Sequence, residues 1–161
     1  MKPIGMKIWF ALLVLIPLLC SFSDCRAEPI FEVKTSLKRD KENNLLVRFS
    51  VEANQHLELY LADLPWFDPP TLTFAIVPLG EGTSIKRVYI PQSPVVGNVT
   101  LEPGKIKSGD LELKYYFPDL VSENARGDLI FFWYWSYKSG GSPSAKREEN
   151  GGALLIPCSK K

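Results

Sequence analysis

His56 is the only histidine in the chain. With Glu58 two residues on, it forms a His-x-Glu pair whose side chains share one face of an extended segment. Such a pair offers two ligands to a metal. A structural zinc centre takes four, and no second imidazole is available to complete one. The pair therefore reads as an exposed histidine beside a surface carboxylate. A Ser-His-Asp triad would have to use His56 as its base, yet no G-x-S-x-G elbow marks a nucleophile, and Ser139-Gly140-Gly141-Ser142 reads as a flexible loop. Glycoside hydrolysis needs only two carboxylates. Glu148-Glu149 and Asp63 with Asp68 supply the residue types, although carboxylates on polar loops are ordinarily just solvated. Phosphate-cradling, dinucleotide-binding and zinc-ribbon motifs are absent from the sequence. The expectation is a protein without catalytic activity, cofactor or metal.

Aromatic residues point to binding instead. Trp66 and Phe67 stand together in Ala62–Pro70 (ADLPWFDPP), a stretch with three prolines. A stiff loop loses little entropy on association, so this pair suits an anchor, with Asp63 and Asp68 placed to accept hydrogen bonds from sugar hydroxyls. The competing reading, which the sequence favours, has Trp66 folding back to plug one end of the fold. A third use is insertion of the loop into a hydrolase cleft as an inhibitor. The second aromatic feature is Leu129–Tyr137 (LIFFWYWSY). One phase carries Leu129, Phe131, Trp133, Trp135 and Tyr137, and the other Ile130, Phe132, Tyr134 and Ser136. Both faces are apolar, which a strand with one wet face does not require. The second face is covered by another segment, or associates with a second copy, or presents Phe132 and Tyr134 as a platform for a sugar or peptide.

The elements that must position these residues read as strands. Phe31, Val33, Thr35 and Leu37 alternate with polar residues, as do Leu45, Val47, Phe49, Val51 and Ala53. A charged turn between them predicts a hairpin. Leu57–Leu61 alternates next, and Ala62–Pro70 is a loop because proline cannot donate to a ladder. Strands are predicted over Thr71–Leu79, Ser84–Ile90, Asn98–Leu101, Ile106–Leu113, Leu129–Tyr137 and Ala153–Pro157. Glu102-Pro103-Gly104 has the proline-then-glycine order of a type II turn. Tyr115–Leu120 reads as irregular or a single turn, and Ser139–Gly152 as a polar, glycine-rich loop. No helix is expected in this region. Eight or nine short strands with regular turn signals predict one all-β domain over residues 28–161, a single antiparallel sandwich that is immunoglobulin-like in the broad sense.

The run Val99-Thr-Leu-Glu-Pro-Gly-Lys, then Leu111-Glu-Leu, Tyr116-Phe117 and Gly127-Asp-Leu-Ile-Phe resembles a pattern in secreted bacterial immunoglobulin-like accessory domains, among them the amino-terminal domains of some secreted zinc peptidases. It covers about forty residues and is built of turn and strand grammar, so it implies a fold and no activity. Those peptidases carry a HExxH helix. This chain has none, and no site residue is transferred.

Residues 1–27 set the expected destination. Lys2 and Lys7 precede the apolar run Ile8–Leu19, which has the length of a signal-peptide core and falls short of a bilayer span. Cleavage after Ala27 is favoured over cleavage after Ser23. The first leaves Cys158 as the sole cysteine; the second keeps Cys25, which could pair with Cys158. Export to a periplasm or the exterior is expected, with no stable membrane insertion afterwards. Removing Lys2, Lys7, Arg26 and Asp24 leaves 16 basic and 17 acidic residues, scattered along the chain, a balance that argues against nucleic acid as partner. Asn98-Val99-Thr100 satisfies the glycosylation sequon, which matters only in a eukaryotic secretory pathway. The sequence thus points to an exported, non-catalytic module that binds or supports another envelope or secreted protein, with a carbohydrate-binding module as the alternative.

Overall fold

The computed structural model describes residues 29–67, 71–80, 82–90, 95–138 and 147–159. The expected leader at residues 1–27 with Cys25, as well as Asp68 and Ser139–Ser142, lie outside them. The described residues are mostly β, with eight strands in three antiparallel sheets: β1 (Phe31–Arg39), β2 (Leu45–Ala53), β3 (Leu57–Tyr60), β4 (Leu72–Pro78), β5 (Asn98–Leu101), β6 (Ile106–Glu112), β7 (Leu129–Lys138) and β8 (Arg147–Ile156). The sheets run β1-β2-β6, β3-β5 and β4-β7-β8.

The period-two patterns become faces. Alternate residues of β2 from Leu45 to Ala53 are buried, and those of β7 from Leu129 to Tyr137 likewise. These two central strands meet through aromatic rings: Phe49 lies edge-on to Trp133 at 5.4 Å and to Phe131 at 6.5 Å, and Phe31 of β1 reaches Trp135 at 4.9 Å. Offset and edge contacts of this kind add about 0.5–1.5 kcal/mol each beyond their area burial. The predicted hairpin is present, with Phe31 opposite Ala53 and Arg39 opposite Leu45. Its turn is held by the Asp40 carboxylate, which accepts from the backbone N–H groups of Glu42 and Asn44, while Asn43 takes a positive φ of 65°. The type II turn is also present: Lys105 N–H donates to the Glu102 carbonyl, and Gly104 sits at φ 71°.

The structure corrects the sequence reading in three places. Two short helices, α1 (Leu113–Tyr116) and α2 (Leu120–Arg126), follow β6 where none was expected. Leu113, Tyr116, Phe117, Leu120 and Asn124 are all buried, a spacing of three and four that Pro118 interrupts. Ser84–Ile90 does not join a ladder; it runs alongside β4, with Ile85 N–H donating to the Ile76 carbonyl and Val88 N–H to that of Tyr116. Finally, β8 starts at Arg147 and not at Ala153, so Arg147–Gly152 is strand. Pairing with ten residues of β7 outweighs the poor strand preference of the Gly151-Gly152 pair.

Candidate functional site

The proline-rich loop begins with two single turns, Leu61–Asp63 and Pro65–Phe67. Leu64 and Pro65 are buried, and the Trp66 indole lies against Gly109 of β6, where a Cβ would collide with the ring. Gly109 faces Phe49 and shares the inward phase of Leu111, so Trp66 occupies space that a side chain on β6 would otherwise take. Phe67 packs beside it at 6.3 Å and is also half-buried. Asp63 is held through its backbone: Trp135 Nε1–H donates to the Asp63 carbonyl at 3.0 Å. Its own carboxyl is pushed above the ordinary carboxylate range by partial burial. Trp66 and Asp63 therefore face different surroundings.

Phe132 and Tyr134 stand on the outer face of β4-β7-β8, 44% and 41% exposed. The register arranges this face in rows. Val77, Ile130 and Leu155 form one; Ala75, Phe132 and Ala153 the next; Thr73, Tyr134 and Gly151 the third. None of the nine positions is charged. Each large ring of β7 is flanked by the smallest residues of its row, so the neighbours leave the ring faces open. One row further, Ser136 is opposite Glu149, whose carboxylate takes a hydrogen bond from the Tyr134 phenol and raises its titration above the ordinary range. With strands about 4.8 Å apart and same-face residues about 6.7 Å apart, the nine positions span on the order of 300 Å².

The remaining candidates separate from one another. His56 immediately precedes β3, after the bend at Asn54 and Gln55, and its Nδ1 lies 3.4 Å from the Glu102 carboxylate, whereas Glu58 accepts from the Asn98 amide at 3.1 Å. The His56–Glu58 pair of the sequence is therefore not a unit. Glu148 points inward and is buried, while its neighbour Glu149 is exposed on the opposite face, so the two do not form a carboxylate pair. Among the described residues no group of three or more His, Cys, Asp and Glu comes together as a metal site. Cys158 is a free thiol beside α2, its Sγ 3.9 Å from the Ala125 carbonyl and its N–H donating to Asp128.

No family model, curated protein or solved structure matches this chain. The outer face of β4-β7-β8 thus stands on its own geometry.

Sequence reasoning missed the flanking positions Thr73, Ala75, Gly151 and Ala153, which decide that the rings of β7 stay uncovered. It also missed Tyr60, 67% exposed at the end of β3. The signal for Tyr60 was present: it is an aromatic on the polar phase of its strand, in step with Glu58.

Proposed function

We propose that this protein is an exported, non-catalytic binding module, immunoglobulin-like in the broad sense, that engages another envelope or secreted protein through the outer face of β4-β7-β8. The observation that carries this reading is the uncharged nine-position face with Phe132 and Tyr134 on its central strand. Apolar patches of a few hundred Å² are the largest that monomers usually expose, and they often serve association. One side of a standard interface is about 800 Å², so this face supplies the apolar centre, and the rim comes from polar residues around it. Thr73 and Glu149 at one end are suited to that rim. Two three-stranded antiparallel sheets facing across one aromatic core support the sandwich reading. The basic start and apolar run of residues 2–19 support export, to a periplasm or the exterior.

A flat apolar face fits protein better than glycan. Sugar rings need hydrogen-bonding groups around the aromatic platform, and seven of the nine positions here carry no polar side-chain group; the hydroxyls are those of Thr73 and Tyr134, the second engaged with Glu149. The test is photocrosslinking in the native host with benzoylphenylalanine at position 132, and at Thr100 as a control on β5. A discrete protein adduct at 132 and none at 100 supports the reading. Equal diffuse labelling at both positions refutes it.

A further inference from the structure

A second surface of the molecule has a different chemistry. Tyr60, Asp63, Val95, Val96, Gly97 and Asn98 line an open concavity of about 580 Å³, within the size range of small-molecule sites. Its parts are held in place. The β3-β5 ladder ends with Tyr60 opposite Asn98, and Leu61 N–H then donates to the Gly97 carbonyl at 2.9 Å. Gly97 adopts φ 129°, where other residues are strained, and a Cβ there would press to 3.2 Å on Leu61. Trp135 fixes the Asp63 backbone from beneath.

Three polar or aromatic groups line this floor. The Tyr60 ring is exposed and offers a flat face with a hydroxyl at its rim. The Asn98 carboxamide donates to Glu58 at 3.1 Å, which orients it and leaves its carbonyl oxygen available as an acceptor. Asp63 adds a carboxylate that is partly withdrawn from water. Among the described residues no Lys or Arg lines the concavity, which disfavours phosphate or carboxylate ligands. One carboxylate and one amide are too few oxygens for calcium, which takes six to eight.

We propose that this concavity binds a neutral polyhydroxylated ring, a pyranose in chemical class, with the apolar face of the sugar on Tyr60 and its hydroxyls donating to Asp63 and Asn98. The site lies on β3-β5 and is independent of the β4-β7-β8 face. Being open on one side, it grips part of a ring.

The experiment is a titration of the folded chain with methyl glucoside and, separately, with N-acetylglucosamine, followed by backbone amide shifts. Tetramethylammonium is the third probe, because an aromatic ring beside a carboxylate also suits a cation. The expected result is saturable movement of Tyr60, Asp63, Val96, Gly97 and Asn98 with at least one sugar. Tyr60→Ala abolishes it and Tyr60→Phe retains most of it, while the indole signals of Trp133 and Trp135 report an unchanged fold. Phe132→Ser with Tyr134→Ser leaves the titration unaltered, which separates this site from the proposed protein-binding face. Absence of shifts with both sugars, movement with tetramethylammonium alone, or sugar shifts that survive Tyr60→Ala would each overturn the proposal.

Discussion

Two tryptophans two residues apart on β7 illustrate how much one hydrogen bond decides. Trp133 and Trp135 both point inward and are buried. Trp135 Nε1–H has the Asp63 carbonyl, whereas Trp133 Nε1–H is buried without an acceptor. Replacing either by Phe removes similar volume. In Trp135→Phe the Asp63 carbonyl also loses its donor, while Trp133→Phe relieves an unpaired N–H. Trp135→Phe should therefore cost about 1–3 kcal/mol more, read from urea unfolding midpoints at equal m. Trp66 poses the same kind of question against Gly109. Gly109→Ala must displace the indole and should cost about 1–3 kcal/mol. In Trp66→Ala the space is empty, and the added methyl should cost much less. A coupling near zero in that double-mutant cycle would show that the indole does not rest on β6 in solution.

At the scale of the element, β6 is an edge strand attached to β2 by few side-chain devices, so each one matters. The strongest is Arg48 with Asp110, a fork of two hydrogen bonds of 2.6 Å across the ladder. The hydrogen bond from Arg48 holds the Asp110 carboxyl below the ordinary carboxylate range. A depressed folded-state value means that the contribution is present above the unfolded carboxylate titration and disappears as pH falls through the folded one. Both groups are partly exposed, so Asp110→Asn should cost about 1 kcal/mol at neutral pH and close to nothing in strong acid. Equal costs at both pH values would show that the pair is not charged when it acts. The same scale explains what was legible. Alternation predicted β1, β2 and β3 nearly to the residue, because each has one wet face, whereas β7 was legible as an aromatic run apolar on both phases. The helices α1 and α2 were hidden by Pro118 and by their length. The extension of β8 was hidden because Arg147–Gly152 has loop composition and is ordered by β7 beside it.

For the molecule as a whole, the question is which apolar surface remains after the core is built. The inward phases of β2 and β7 are consumed by the core. The outward phase of β7 is not, since its flanks on β4 and β8 are too small to cover Phe132 and Tyr134. A face kept for a partner contributes little to folding. Phe132→Ser with Tyr134→Ser should accordingly change unfolding free energy by no more than about 1 kcal/mol for each cross-strand pair the rings make, the scale of such contributions. The same double variant should abolish adducts formed from a photocrosslinker placed at the neighbouring Ala75. Unfolding of the variant under conditions where the parent is stable would assign these rings to the fold instead. The Tyr60 concavity sits on the separate two-stranded sheet, so its response should be indifferent to these changes.

By itself the sequence determined the local matters: which stretches are extended, which phase of each is apolar, where Asp40, Asn43 and Gly104 turn the chain. Those depend on neighbours within a few residues, and a period of two records them directly. It also nominated Phe132, Tyr134, Trp66 and Asp63. Tertiary structure alone decided what those residues face. Phe132 is open because Ala75, fifty-seven positions earlier, and Ala153, twenty-one later, lie beside it. Trp66 is half-buried because residue 109 has no side chain. Register between distant strands is set by the packing of the entire core, and a single sequence carries no local mark of it.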